Sequence, residues 1–425
     1  MRKFIKISVI LLFLGFSLHQ ARAEELLTWE DCVREAAKNH PDLIAAKESV
    51  KQSEAEKKIT ASALFPQIDS SVSASTARTD TGASSKTGDT YSYGVTGTQL
   101  LFDGIKTINE VKAASENITA AKESFRFTSS EVRFRLRSAF VNLLKAQESL
   151  QITQEIFNIR RADLELITLR YQSGLEHKGA LLTAEADLAQ AEYEISQAKR
   201  NVEVAQRELV KEMGRMQLTG MRVRGDFIVG DAAKEKPDFE ALAKNNPSLQ
   251  QIIAQKNAAG FSLKSAYADF APTLSGSGGA NKTGSRWTPK NDQWNLGLTL
   301  SLPIFEGGLR LAQVSQAEAL LNQLRANERS TKDSAVLTLE ETWATLQDTI
   351  ENVGVQKKSL MATEERSKIA EAQYSIGFIS FDNWTIIQDN LVNAKLSYLN
   401  AQANALLAEA NWILAKGETI EYAQN

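Results

Sequence analysis

The sequence of 425 residues predicts an α+β membrane protein with two copies of one unit, each combining long coiled-coil helices with a pair of transmembrane strands. Three observations predict this fold class. Whole segments recur about 200 positions later, apolar residues recur every seventh position over long stretches, and short stretches alternate apolar and polar side chains. The elements follow in the same order in both copies.

The duplication is visible in two pairs of segments. The stretch "NHPDLIAAKESVKQSEAEKKITASALFPQI" at 39 matches "NNPSLQQIIAQKNAAGFSLKSAYADFAPTL" at 245, and "LLFDGIK" at 100 matches "PIFEGGL" at 303. The number of positions between matching residues of the two copies falls from 206 at Pro66 to 203 at Phe102. This difference predicts one longer loop in the first copy. We expect a signal peptide at 1–23, a first repeat at 24–217, a linker at 218–236, and a second repeat with a C-terminal segment at 237–425.

The first residues predict an export signal. A basic "MRKFIK", an apolar run at 7–18 that is too short to span a bilayer as a helix, and the small-x-small "ARA" at 21–23 predict a signal peptide cleaved after Ala23. The single cysteine, Cys32, excludes an internal disulfide, and we expect it to be half-buried rather than lipidated. After the signal peptide, no apolar run is long enough for a transmembrane helix.

The composition excludes several functions. A net charge of −3 provides no basic surface for nucleic acid. Histidines are few and the GxxxxGK[ST] phosphate loop is absent, so we expect no metal, no cofactor and no enzyme activity.

Each copy opens with a helix whose first residue is proline, Pro41 or Pro247, preceded by His40 or Asn246 as the cap.

A helix of unusual length follows, from about 105 to 172 in the first copy. Its apolar residues recur every seven positions, as in coiled coils: Val132, Ala139 and Ala146; Leu136, Leu143 and Leu150; and, in the second copy, Leu339, Leu346, Val353 and Leu360, with Ser367 as an exception. The shorter helices, about 41–64 and 180–213, are predicted to stack end to end beside it.

Both long helices end at the same signal. "RYQSGLEHKG" at 170 and "QYSIGFISFD" at 373 place Tyr171 and Tyr374, and likewise Gly174 and Gly377, 203 positions apart. Glycine provides the positive φ that helix ends favour, so both stretches are predicted to reverse the chain direction.

The extended stretches predict strands with one apolar face. Residues 294–302 alternate Trp and Leu with small or polar residues, stretches from 66 and 91 alternate more weakly, and "PTLSGSGGA" at 272 is the least regular. Each is about ten residues long, the length of a tilted transmembrane strand. Soluble hairpins are the alternative. Four strands cannot close a barrel in lipid, so several copies must contribute, and three copies would provide twelve strands.

Taken together, the chain resembles the TolC-like outer-membrane efflux proteins, also called outer membrane factors, over nearly its whole mature length. The resemblance rests on "LTWEDCVREAAKNHPDL", on "QLLFDGIK" with "LPIFEGGL", on "RYQSGL" with "QYSIGFIS", and on the duplication. It implies a homotrimer with a 12-strand β-barrel in outer-membrane lipid, continuous with a 12-helix α-barrel tunnel in the periplasm. It also implies a passive exit channel for small molecules or proteins that docks to a periplasmic adaptor and an inner-membrane pump or ABC transporter. A periplasmic coiled-coil scaffold or adaptor without a pore is the alternative.

The resemblance also implies two kinds of site. The adaptor would contact the helix reversals, at Ser173, Gly174 and Leu175 and at Ile376, Gly377 and Phe378. The family often closes its tunnel with aspartates six and nine residues after the tip glycine; here these positions hold Ala180 and Thr183, and Asn383 and Ile386. Beside Asn383, Asp382 is either a gate carboxylate or a helix cap. Tyr374 matches a family tyrosine linked to closure, or it is a seam residue, one that packs in the contact between two helices. Ile379 stands where the family has an arginine.

Overall fold

The computed structural model describes residues 25–80, 82, 84–217, 220–229 and 236–420, and the expected signal peptide lies outside these ranges. The helices and strands, in chain order, are β1 (Glu25–Leu27), α1 (Trp29–Asn39), α2 (Pro41–Ser62), β2 (Gln67–Asp80), β3 (Ser85–Phe102), α3 (Lys106–Gln172), α4 (Lys178–Glu212), β4 (Met221–Val223), α5 (Phe239–Ala243), α6 (Pro247–Ala268), β5 (Thr273–Gly284), β6 (Asn291–Ser301), α7 (Leu309–Ser375) and α8 (Phe381–Ala415).

The two long helices, α3 and α7, organise the helical part. Each has 67 residues and is therefore about 100 Å long. Helices α2 and α4 both pack against α3, and α6 and α8 both pack against α7, as the helix lengths predict. Helix α3 also contacts α6 and α8, which joins the two copies. Across the described ranges, the structure contains no helix with the length and apolar character needed to cross a membrane.

The short helices meet end to end at two junctions. In the first, His40 caps α2 by accepting from the backbone N–H of Asp42, and its Nε2 lies 3.4 Å from the carboxylate of Glu212, the last residue of α4. Gly214 follows with φ 76°, and a Cβ there would lie 2.5 Å from the carbonyl oxygen of Asn39. The end of α4 can therefore touch the start of α2 only with glycine at this position.

The second junction has the same geometry and different chemistry. Asn246 caps α6 and donates its side-chain amide to the carbonyl of Ala415 at 3.3 Å, and Gly417 lies against Pro247. The first junction contains a buried carboxylate, whereas the second is neutral.

The seven-residue pattern forms the seams between helices. Leu136, Leu143, Leu339 and Leu346 are fully buried. Helix α4 contributes small side chains at the same spacing, Ala184, Ala191, Ala198 and Ala205, all of them buried, and small residues let two helices approach closely. Ser367 is the exception to the seven-residue pattern of apolar residues. Its hydroxyl donates to Oε1 of Gln388 at 3.1 Å, so a buried polar pair replaces an apolar contact.

A compact core surrounds the middle of α3. Strands β1 and β4 pair in parallel beside it, and Cys32 is fully buried there, which raises the pKa of its thiol to about 12. The residues after α8 return to α3, where the N–H of Ile420 donates to the hydroxyl of Ser129 at 3.1 Å. Ile420 itself is buried, so this segment completes the core.

The remaining strands form one antiparallel sheet in the order β2–β3–β5–β6. Its register aligns Val95 with Ala280 and Ala280 with Trp294, so apolar side chains from neighbouring strands share one face. Five of them on or next to β6 are strongly exposed: Trp294, Leu296, Leu298, Leu300 and Leu302. Residues on the opposite face, such as Ser71, Thr96 and Thr299, are small or polar.

The expected longer loop in the first copy is wrong. Four residues separate β2 from β3, whereas six separate β5 from β6. The additional length lies in the strands, which have 14 and 18 residues in the first copy and 12 and 11 in the second. Residues 75–80 and 85–90 are hydroxyl-rich and show no apolar alternation, yet they pair with each other through backbone hydrogen bonds, which no side-chain pattern reveals.

Candidate functional site

The candidate site is the end of the helical part where both hairpins reverse. We call residues 173–177 the first tip and residues 376–380 the second tip. Gly174 has φ 74° and Gly377 has φ 77°. In each tip the N–H after the glycine donates to the carbonyl five residues earlier at 2.8 Å, from Leu175 to Arg170 and from Phe378 to Gln373. Both reversals are therefore Schellman caps, and the glycines have the conformation that the sequence predicts.

The return helices start at side-chain caps. Nδ1 of His177 accepts from the N–H of Ala180 at 3.0 Å, and the hydroxyl oxygen of Ser380 accepts from the N–H of Asn383 at 3.4 Å. Ser380, not Asp382, is therefore the cap of α8, and the cap alternative for Asp382 is wrong. Asp382 is exposed in the first turn, where a carboxylate interacts favourably with the helix dipole, and its gate role stays a prediction.

The tips expose apolar side chains. Leu175 is 66% exposed in the first tip, and Ile376 and Phe378 are 79% and 75% exposed in the second. Ser173 is also exposed. Exposed apolar groups at a loop end commonly mark a protein-binding surface.

Tyr374 lies in an aromatic cluster at the second tip. It is 1% exposed, its ring stacks on Trp384 at 4.6 Å between centroids, and Phe381 is 6.3 Å away. Trp384 and Phe381 belong to α8, so the cluster fixes the end of α7 against the start of α8. The burial agrees with the seam alternative for Tyr374 and leaves its role in closure as a prediction.

The hydroxyl of Tyr374 links the two hairpins. It donates to Oε1 of Glu176 at 2.8 Å, and the guanidinium of Arg170 lies 4.8 Å from the ring centroid. Arg170 Nε is also 3.5 Å from Oε1 of Glu176. Burial, followed by the hydrogen bond to Glu176, raises the pKa of Tyr374, so the phenol stays protonated and remains a donor.

A charged cluster lies further along the same hairpins. The guanidinium of Arg160 on α3 is 3.9 Å from both Asp163 and Asp187 and also pairs with Asp389 on α8. Burial raises the pKa of Asp163 to about 6, a shift that Arg160 opposes and that Glu371 on α7 and Asp187 on α4 increase. Burial also raises the pKa of Asp187. One cation thus faces three carboxylates from three helices.

Sequence reasoning missed Trp384, Glu176 and the Arg160 cluster. The first-copy counterparts of Phe381 and Trp384 are Lys178 and Leu181, so a comparison of the two copies could have singled out the second-copy aromatics. No comparable signal exists for Glu176, since its contact with Tyr374 joins residues 198 positions apart.

Antiparallel strands with an exposed apolar face, joined to helical hairpins about 100 Å long, define the class of channel-forming proteins of the bacterial outer membrane. The sequence profile of the outer membrane efflux protein family matches residues 32–215 and 239–418, which include most of both copies. The chain belongs to this family of outer-membrane efflux channels, whose members are passive channels rather than enzymes.

Individual relatives are distant in sequence. The outer membrane efflux protein BepC of Brucella suis biovar 1 (strain 1330) is 24% identical over 354 residues, which cover 81% of this chain and 75% of that protein. The outer membrane protein TolC of Escherichia coli (strain K12) is 24% identical over 336 residues, which cover 71% of this chain and 66% of TolC. The crystal structure of the CmeC outer membrane channel of Campylobacter jejuni has the same fold, with a TM-score of 0.80, 19% identity, and coverage of 92% of this chain and 87% of that one.

Proposed function

We propose that three copies of this chain form one continuous channel, a 12-strand barrel followed by a 12-helix tunnel, that carries small molecules or proteins out through the outer membrane. The observation that carries the proposal is the pair of open edges on the four-stranded sheet. In the described part of the chain, β2 and β6 each pair on one side only. An unpaired strand edge is not tolerated in lipid, so neighbouring copies must complete both edges.

The helices have matching open ends. Their contacts run α2–α3–α6–α7 beside the sheet and α4–α3–α8–α7 toward the tips, which leaves the stacked α2 and α4 at one side and α7 at the other. Helix α2 leads into β2, and α7 follows β6. A neighbouring copy that pairs with the sheet edge therefore also covers the open helices. Each copy contributes four strands and four helix columns.

The apolar face of the sheet would face lipid. Leu296 is 83% exposed, and its neighbours Trp294 and Leu298 are similarly exposed. The opposite face, with its hydroxyl and amide groups, would line a water-filled lumen. A periplasmic scaffold without a pore needs no exposed apolar sheet, so this face favours the channel over that alternative.

The two tips would dock to a periplasmic adaptor, which connects the channel to an inner-membrane pump or ABC transporter. Ser173, Gly174 and Leu175 form the contact surface on the first tip, and Ile376, Gly377 and Phe378 form it on the second. The support is the exposure of Leu175, Ile376 and Phe378, three large apolar side chains at the ends of the hairpins. Energy for transport comes from the partners, since the channel itself is passive.

The gate would consist of Tyr374, Asp382 and Asn383. Tyr374 holds the second tip to the first through Glu176, and opening would require that hydrogen bond to break. Three copies of Asp382 around the pore would raise the local concentration of cations. Asn383 is exposed beside it, at the position of a family aspartate.

The test is single-channel conductance of the detergent-purified protein in a planar bilayer, together with native mass spectrometry of the same sample. We expect discrete conductance steps from a trimer and a lower cation selectivity for Asp382→Asn. Steps with unchanged selectivity would remove Asp382 from the gate. A monomeric protein that needs no detergent and gives no steps would refute the channel.

A further inference from the structure

The apolar face of the sheet contains a groove of about 770 Å³ near the end farthest from the helices. We call it the outer groove. Val72, Val95 and Ala280 line it along the strands, and Trp287 and Trp294 form its aromatic walls. The rest of the exposed face, from Leu296 to Leu300, does not line this groove. The outer groove is therefore a local concave feature on a surface that is otherwise a row of leucines.

The loop between β5 and β6 builds one wall of the outer groove. The Trp287 ring is 6.2 Å from Tyr91 and 6.3 Å from Tyr93, centroid to centroid. The loop lies close to Gly284: a Cβ there would lie 3.2 Å from Cα of the buried Pro289, so a larger residue would require the loop to shift by a few tenths of an ångström. The aromatic wall is thus held by packing within the sheet and its loop.

Cationic side chains lie at the edge of the outer groove and in the loop beside it, which together we call its rim. Lys282 and Asp292 line the groove itself, and loop residues 285–291 add Arg286 and Lys290 and no acid, so residues 282–292 have a net charge of +2. Nζ of Lys282 is 3.1 Å from Asp292, whereas Arg286 and Lys290 are exposed and form no ion pair within the described part of the chain. The longer first hairpin differs, since Arg78 and Lys86 are balanced there by Asp80 and Asp89.

We propose that the outer groove binds an acyl chain of an anionic, phosphate-bearing lipid of the outer leaflet, and that Lys282, Arg286 and Lys290 contact its phosphate. The apolar walls match an acyl chain, the cationic rim matches an anionic head group, and the two lie next to each other, as they do in a lipid. This inference rests on the proposed orientation of the apolar face toward lipid. It adds a head-group preference that the remaining face, which has no cations between Leu296 and Leu300, lacks.

Quenching of tryptophan fluorescence by brominated acyl chains tests the proposal. Of the six tryptophans only Trp287 and Trp294 are strongly exposed, so both walls of the outer groove report contact with a brominated lipid. The full-length protein is placed in phosphatidylcholine nanodiscs that contain a small fraction of brominated phosphatidic acid or, separately, of brominated phosphatidylcholine. We expect about fivefold stronger quenching by the anionic lipid at equal mole fraction.

The triple variant Lys282→Gln, Arg286→Gln and Lys290→Gln removes the cations. We expect both brominated lipids to quench its tryptophan fluorescence equally. The matched control is Arg78→Gln with Lys86→Gln in the first hairpin, which should keep the wild-type preference. Equal quenching of the wild type by both lipids, or an unchanged preference in the triple variant, would overturn the lipid site. No quenching by either lipid in any variant would refute the orientation of the sheet itself, and this outcome is distinct from failure of the site.

Discussion

The first and second tips have the same backbone and different side-chain packing. Both are Schellman caps with a glycine near φ 75°. Tyr171 and Tyr374 occupy equivalent positions, yet Tyr171 is 38% exposed and Tyr374 is 1% exposed. The second tip has Phe381 and Trp384 to receive its tyrosine, whereas the first has Lys178 and Leu181.

The two copies therefore share the turn but not the side chains that surround it. The turn depends on one glycine and a few local hydrogen bonds, which both copies keep. The burial of the tyrosine depends on side chains from the next helix and from the other hairpin, and only Tyr374 has them. The second tip is therefore fixed by aromatic packing and by the hydrogen bond to Glu176, and the first tip lacks the equivalent aromatic contacts.

The largest expected effect is that of Trp384→Ala. Removing this ring leaves a cavity beside Tyr374 and should destabilise the ends of α7 and α8 by about 3–5 kcal/mol. Hydrogen exchange measures the local opening directly, and amides of residues 370–390 should exchange much faster than in the wild type.

The control is Leu181→Ala at the equivalent position of the first copy. Leu181 is only half-buried, and we expect a cost of about 1 kcal/mol. Equal acceleration of exchange at both tips would contradict the asymmetry between them.

The next effect is a change in pH dependence for Asp163→Asn. The fold raises the pKa of Asp163 to about 6, so the folded state keeps its proton at pH values where the unfolded chain has lost it. The stabilising contribution of the protonated form is complete below about pH 4 and is lost as pH rises through 6. Asparagine cannot ionise, so the variant should be more stable than the wild type by about 2 kcal/mol at pH 7.5 and nearly equal to it at pH 4.

Chemical denaturation at pH 4, 6 and 7.5 measures this difference. Asp382→Asn is the control, because Asp382 is exposed and its replacement should change stability by less than about 0.5 kcal/mol at each pH. A stability gap for Asp163→Asn that is constant with pH would contradict the burial argument.

A smaller effect is expected for Tyr374→Phe. The substitution keeps the stacked ring and removes the hydrogen bond to Glu176, which should cost about 1 kcal/mol and raise the ratio of open to closed channels about fivefold. Single-channel recording measures this ratio. Tyr171→Phe should leave it unchanged, and the asymmetry between the tips would be disproved by an equal effect of both substitutions.

The smallest effect on stability belongs to the exposed tip residues. Phe378→Ser and Leu175→Ser should each change the free energy of unfolding by less than about 0.5 kcal/mol, because neither side chain is packed in the isolated chain. Both should weaken cross-linking to the adaptor in cells, Phe378→Ser more than Leu175→Ser. Met361→Ser, an exposed apolar residue on α7 far from the tip, should have no effect on cross-linking. Loss of cross-linking for Met361→Ser as well would mean that exposed apolar side chains along the helices contribute to docking, and that docking is not confined to the tips.

Much of the fold could be predicted from the sequence, and less of the site. The prolines that start helices, the glycines with positive φ and the alternation after Trp294 all predicted elements that the structure contains. The predicted helix ends lie within two residues of the observed ones. The extent of β2 and β3 could not be predicted, because their outer parts are held by backbone pairing between hydroxyl-rich segments. At the tips, the prediction located the reversals and named Tyr374 but missed Trp384 and Glu176.

The local features of this protein follow from its sequence: where helices begin and reverse, which residues form the seams, and which face of each strand is apolar. Each of these depends on residues within a few positions of one another, whose spacing follows the period of a helix or a strand. Three other features depend on long-range packing: which of two equivalent tyrosines is buried, the position of Arg160 facing three carboxylates, and the return of Ile420 to α3. Those contacts join residues as far apart as 291 positions, and no local period encodes them, because they arise from the packing of whole helices.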